Sequence, residues 1–205
     1  MRLHDFDKIY CINLKKRTDR KITCDKIFKL LRLNVEYIEA VDGSMISSPA
    51  TIKPGHKGCC LSHRNIYNIV RNDPSLQKVL ILEDDIEFHP EVEKLFKEWY
   101  EEVPDHWNML YFGGNHNGLE KNFVKPHVHR LIQTYTTHCY AIKREIVPQL
   151  LAEFSDENIY NNEVDVHLSK VQKEFPCYGF FPHLGWQRES FSDIEMKNKR
   201  YDFLR

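Results

Sequence analysis

No stretch of this 205-residue chain approaches the roughly 20 consecutive apolar residues that a membrane-spanning helix requires. The amino-terminal "MRLHDFDKIYCINL" has no apolar signal core, so the expected setting is cytoplasmic. Excess charge is also missing. Lys plus Arg (29) nearly balances Asp plus Glu (30), and a net charge of -1 gives no global attraction to nucleic acid or to an acidic membrane. Any anionic ligand must be held by a local site. The six cysteines include no C-x-x-C pair, and a bridge between the adjacent Cys59 and Cys60 would be strained, which predicts reduced thiols. Internal repeats and a domain-scale linker are absent as well, so a single domain over 1–205 is expected.

Apolar material is plentiful. A composition of 41% hydrophobic and 12% aromatic residues supplies a proper core. "KIYCINL" (8–14) reads as a strand covered on both faces. A helix follows with Cys24, Ile27, Phe28 and Leu31 as its stripe and Thr18 or Asp19 as its cap. "VEYIEAV" (35–41) is a second strand, and 43–58 reads as a long loop. A helix is expected from about Cys59 to Arg71, a strand at 79–83, a helix over 90–102 and a strand at 108–114. One or two strands in 129–143, helices from Ile146 and over 163–172, and a strand near 177–181 complete the pattern. Strands alternating with helices predict an α/β architecture with a mainly parallel sheet in the first half.

"VLILEDDIEFH" (79–89) carries the sharpest chemical signal, because four apolar residues run into Glu83, Asp84 and Asp85, whose repulsion asks for a cation. In extended backbone Glu83 and Asp85 point one way and Asp84 the other, an acid-x-acid pair for Mg²⁺ or Mn²⁺. A bare acidic triplet is otherwise a solvated turn. The apolar strand before it pins it to a sheet end, where ligands gather. Arg17, Asp19 and Arg20, after the first strand, either clamp phosphates opposite the ion or form the charged start of a surface helix. Asp42 closes the second strand and suits either a base or ribose contact or a turn. "GHKGCCLSH" (55–63) holds glycines that let a ligand approach, with Ser62 and His63 nearby. His56 and His63 match no zinc spacing. Asp165 opens a helix, either as a capping acid or as a base toward a hydroxyl. The Trp, His and Gln of "FFPHLGWQRESFSDIE" (180–195) either line a sugar site, reach the ion or pack the carboxyl-terminal turn.

Taken in order, "IYCINLKKRTDR", "EAVDG", "GHKGCCLSH", "LILEDDIEF", "YAIKREIVPQLL" and "GWQRESFSDIE" resemble glycosyltransferase family 25, which includes bacterial lipopolysaccharide galactosyltransferases and procollagen galactosyltransferases. The resemblance covers nearly the whole chain, although "GGNHNG" (113–118) matches only in outline. It implies a GT-A type, Rossmann-like nucleotide-diphosphosugar-binding α/β domain with a mixed sheet, the donor half at about 1–115 and the acceptor half at about 116–205. It further implies an inverting transfer of galactose or glucose from a UDP-hexose to a hydroxyl of a glycan or of hydroxylysine in a collagen-like chain. Asn13, Leu14, Arg17, Arg20, Ala40, Asp42, Ser62, His63 and Asp84 would bind the nucleotide sugar. Asp85 and Glu83 would hold Mn²⁺ or Mg²⁺, and Asp165 would be the catalytic base, with Asp193 and Glu163 next in line. A non-catalytic binding module and a nucleotidyltransferase are the alternatives.

Overall fold

The computed structural model describes residues 1–47, 52–117, 123–194 and 197–199. The first half lays down β1 (Lys8–Asn13), α1 (Thr18–Leu30), β2 (Val35–Glu39), α2 (Pro54–Asn72), β3 (Lys78–Glu83), β4 (Ile86–Phe88), α3 (Val92–Trp99) and β5 (Met109–Tyr111). Short strands β6 (Asn115–His116), β7 (Phe123–Lys125), β8 (Val128–Arg130) and β9 (Thr134–Tyr135) lead to β10 (Cys139–Lys143). Then come α4 (Val147–Glu153), α5 (Val164–Glu174), β11 (Cys177–Phe180), β12 (Gly185–Gln187), β13 (Ser190–Ser192) and β14 (Lys197–Lys199).

Eight strands form one sheet in the order β2-β1-β3-β10-β5-β11-β8-β7. β1 runs parallel to β2 and to β3, β10 is inserted antiparallel between β3 and β5, and β11 is parallel to β5. The expected α/β class, parallel in its first half and mixed overall, is what forms. Alternation along β3 explains the layers: Leu80 and Leu82 enter the core under α1 and α3, with Phe28 and Phe96, while Val79 and Ile81 enter the core under α2, α4 and α5, with Tyr67 and Leu168. Each such fully buried aliphatic side chain contributes about 1.5–3 kcal/mol through its removal from water. The carboxyl ends of β1, β2 and β3 therefore stand at one edge, held by a sheet covered on both faces.

Several boundaries differ from the sequence reading: the strands expected at 35–41 and 108–114 are shorter, ending at Glu39 and Tyr111. The helix expected from Cys59 begins at Pro54, because proline suits the first helical turn and Gly55 and Gly58 continue the helix instead of looping. A β-carbon on Gly58 would sit 2.4 Å from the Val41 carbonyl oxygen, and one on Gly43 2.0 Å from that of Pro54, so the start of α2 packs directly on the turn after β2. The long loop shrinks accordingly, and 48–51 of it lie outside the described residues. Neither Thr18 nor Asp19 caps α1: Arg17 takes that position without a side-chain cap, and both residues lie inside the first turn. The 90–102 helix is α3 from Val92, followed by a 3-10 turn at Tyr100–Glu102.

Among the described residues no helix is long and apolar enough to cross a membrane. All six cysteines are unpaired.

Candidate active site

A cavity of about 700 Å³ opens at the carboxyl edge of β1–β3. Its floor is the end of β3. Glu83 is the last residue of that strand and sits opposite β10, with its backbone N–H donating to the His138 carbonyl at 3.0 Å. Asp84 and Asp85 then form a turn into β4, so the strict alternation of side chains expected for extended backbone stops at Glu83. The triplet divides differently. Glu83 faces α2 and the segment before β10: Thr137 Oγ1 donates to its Oε1 at 2.5 Å, and His63 Nε2 lies 3.2 Å from the same oxygen. Asp84 and Asp85 turn toward α1, where Arg20 Nη1 lies 2.5 Å from Asp84 and 3.4 Å from Asp85.

The electrostatics follow from burial. Asp84 and Asp85 are each 6% exposed. Burial, reinforced by the charges of Glu83 and Asp84 against the opposing pull of Arg20, pushes Asp85 up to about 7. Its Oδ1 is buried with no hydrogen-bond partner among the described residues. Burial raises Asp84 less far, because Arg20 and the Asn13 amide, 2.7 Å away, oppose it. For Glu83 burial pushes upward, and the His63 and Thr137 contacts outweigh it, leaving the carboxyl below its ordinary value. Arg20 contacts both buried carboxylates and Arg188 lies nearby, and an oxygen atom of Asp85 is still left without a partner among the described residues. A hard divalent cation, which prefers carboxylate oxygens, fits that donor set.

Leu14, Arg20, Ala40, Asp42, Ser62, His63, the three acids and Asp165 all line the cavity. Asn13 stands behind the wall and orders it, donating to Asp84 and to the Arg17 carbonyl. Arg17 is not on the wall. Its guanidinium is tied to Asp19 at 2.9 Å, to Asp193 and to the Phe191 carbonyl, so it braces the segment around β13. Ser62 accepts from the Val41 N–H at 2.9 Å and donates to the Gly58 carbonyl at 2.7 Å, which fastens the end of β2 to α2. Asp42 accepts from Lys16 and from both Ser44 donors, contacts that hold it at about 2. Asp165 lies in the first turn of α5, its Oδ1 bonded to the Val166 N–H and its Oδ2 accepting from the Thr136 N–H at 3.2 Å.

Some residues of the wall gave no readable pattern in the sequence. Thr136 and Thr137, far along the chain, reach the cavity because β10 is inserted beside β3. Thr136 has φ 71, a left-handed backbone unusual for a β-branched residue, and its Oγ1 is buried with no hydrogen-bond partner among the described residues. Ser190 Oγ and the Phe191 carbonyl accept from Arg20 Nη2 at 2.7 and 2.9 Å, which draws the carboxyl-terminal segment across the opening. Of the aromatic and amide residues in that segment, Gln187 and Phe191 line the cavity, whereas Trp186 donates to Glu87 at 3.0 Å.

Residues 6–165 match the family model described as glycosyltransferase family 25 (LPS biosynthesis protein). The chain belongs to glycosyltransferase family 25. Its α/β domain has a mixed sheet, as the resemblance implied. Among curated relatives of this family 25 chain, a glycosyltransferase 25 family member of Anopheles gambiae is 38% identical over 130 residues, 51% of this chain and 21% of the relative. Procollagen galactosyltransferase 2 of Homo sapiens is 28% identical over 175 residues, 71% of this chain and 27% of the relative. The chain thus spans about a quarter of the length of these two relatives. A solved glycosyltransferase involved in the glycosylation of the major capsid of PBCV-1 is 14% identical, with a TM-score of 0.45 over 74% of this chain and 66% of that one.

Proposed function

We propose that this family 25 domain is a metal-dependent, inverting glycosyltransferase that moves galactose or glucose from a UDP-hexose to a hydroxyl acceptor on a glycan or on hydroxylysine of a collagen-like protein. The observation that carries the reading is the buried, unpartnered Asp85 Oδ1 at the floor of a cavity large enough for a nucleotide sugar. Family membership supplies the reaction class.

In this reading Asp85, assisted by Glu83, would hold Mn²⁺ or Mg²⁺, which when bound neutralises charge on the leaving diphosphate. Asp84 keeps Arg20 and Asn13 in place and so fixes the orientation of the acid turn. Arg20 is a cation of the cavity wall that can turn toward a phosphate, and Arg17 serves that phosphate indirectly by holding the segment around β13. Leu14, Ala40 and Asp42 flank the nucleoside, and Ser62 and His63 shape the wall between it and the acids. Asp165 takes the proton of the acceptor hydroxyl, a contribution of about 10² to 10⁴ in rate. Donor contacts come chiefly from 1–115 and acceptor contacts from 116–205. The setting in this reading is cytoplasmic.

The deciding experiment scores release of UDP from a panel of UDP-sugars with Mn²⁺, with and without candidate acceptors. Acceptor-stimulated UDP release is the expected result. UDP binding with neither transfer nor hydrolysis would make the domain a binding module, and release of pyrophosphate would make it a nucleotidyltransferase. Asp85→Ala should stay folded and lose Mn²⁺-dependent UDP affinity in calorimetry; unchanged affinity would remove the metal assignment. Asp165→Asn should keep donor binding and lose transfer, and full transfer by it would move the base to Asp193 or Glu163.

A further inference from the structure

Cys59 and His63 stand four residues apart on α2, so their side chains share the helix face turned toward the end of β3. Glu83 meets them there. The Cys59 sulfur, a ring nitrogen of His63 and a carboxylate oxygen of Glu83 all lie within 4.8 Å of one another, and all three residues line the cavity. We propose that Cys59, His63 and Glu83 form a binding site for Zn²⁺ or a transition ion of similar ligand preference, with its remaining coordination position open to the cavity.

Three observations carry this. First, thiolate, imidazole and carboxylate are the ligand types of zinc, and sulfur with nitrogen is the wrong set for Mg²⁺ or Mn²⁺. Second, the spacing is nearly right. His63 Nε2 and Glu83 Oε1 are 3.2 Å apart, close to the roughly 3.3 Å between tetrahedral ligands bonded at about 2.0 Å. Third, the outer partners are in place. His63 is fully buried, with Nδ1 2.8 Å from Tyr140 Oη, which lies 2.7 Å from Tyr67 Oη. The Thr137 hydroxyl donates to that same Glu83 oxygen. Such contacts fix a ligating imidazole and carboxylate in orientation. On binding, the Nε2 contact to Glu83 is exchanged for two bonds to the ion, Nδ1–H donates to Tyr140, and the Cys59 thiol proton goes to solvent.

The site shares Glu83 with the ion proposed at the acid turn, but its sulfur and nitrogen donors come from α2, whereas Asp84 and Asp85 face Arg20. It does not depend on the transferase reading either, because a non-catalytic domain would hold the same ion.

The test is a Co²⁺ titration of the reduced, chelator-treated chain, read by absorption. A saturable thiolate-to-Co²⁺ charge-transfer band is expected, displaced by Zn²⁺ and resistant to excess Mn²⁺. Cys59→Ser should lose the band and Asp85→Asn should keep it, both being checked as folded by circular dichroism. His63→Gln should weaken Co²⁺ binding by at least the roughly tenfold that even an outer partner is worth. Absence of the band, its survival in Cys59→Ser, its loss in folded Asp85→Asn, or displacement by Mn²⁺ would each overturn the site. Mn²⁺-dependent UDP binding reads the acid-turn assignment independently, so the two readings fail separately.

Discussion

At Thr136 the backbone holds a left-handed conformation that a β-branched side chain resists, and the Asp165 carboxylate anchors it through the peptide N–H. Strain of this kind costs about 1–3 kcal/mol, whereas a glycine introduces an entropy cost of about 0.5–1 kcal/mol. The strain wins, so Thr136→Gly should raise stability by roughly 1 kcal/mol, or about 2–4 °C in Tm for a chain of this size. A lower Tm in that variant would mean that the Thr136 side chain holds the loop and that the strain is not stored there. Thr137 acts differently: its hydroxyl donates to Glu83, and Thr137→Val leaves that half-buried carboxylate short of a partner. A loss of about 1–3 kcal/mol is expected, measured by urea unfolding.

Packing between α2 and the turn after β2 sets the position of the cavity's other wall. Gly58 lies inside a helix, where alanine would ordinarily add up to about 1 kcal/mol. Here the added carbon meets backbone, 2.4 Å from the Val41 oxygen and 2.8 Å from the Gly43 nitrogen, and backbone on both sides cannot step aside cheaply. Overpacking should dominate, so Gly58→Ala is expected to destabilise the fold by about 1–3 kcal/mol in urea melts. A stabilised Gly58→Ala protein would show that this contact is loose. The same contact explains why "GHKG" reads as loop from its glycines and folds as helix: their role is to let two backbones touch, which composition alone cannot reveal. The helical stripe of α1, with Cys24 and Phe28 buried and Ile27 and Leu31 half-buried, was by contrast legible from period alone.

Across the whole molecule, stability has an acid limit written into buried histidines. Burial holds His138 at about 4, against about 6.5 in an unfolded chain, and pushes His116 well below its ordinary value. Between these pH values the unfolded chain binds protons that the folded one refuses, so this contribution is intact above about pH 6.5 and is lost as pH falls toward 4. For His138 the loss is on the order of 3 kcal/mol. Buried Asp85 titrates in the opposite sense, so the measurement is the pH dependence of wild-type stability relative to His138→Gln. The wild type should lose ground between pH 7 and 4, and a constant difference would show that His138 takes up its proton equally readily in the folded and unfolded states. By itself the sequence determined the α/β class, the two-faced strands and the acid run at the end of β3, because burial patterns repeat at 2.0 and 3.6 residues and an apolar run before charges marks where a strand leaves the core. The partition of that run was decided by tertiary structure. Glu83 goes to His63 and Thr137, and Asp84 and Asp85 go to Arg20, because the pairing of β1 with β3, the insertion of β10 beside β3 and the position of α2 bring together residues separated by up to 65 positions, and proximity in space leaves no period in the chain.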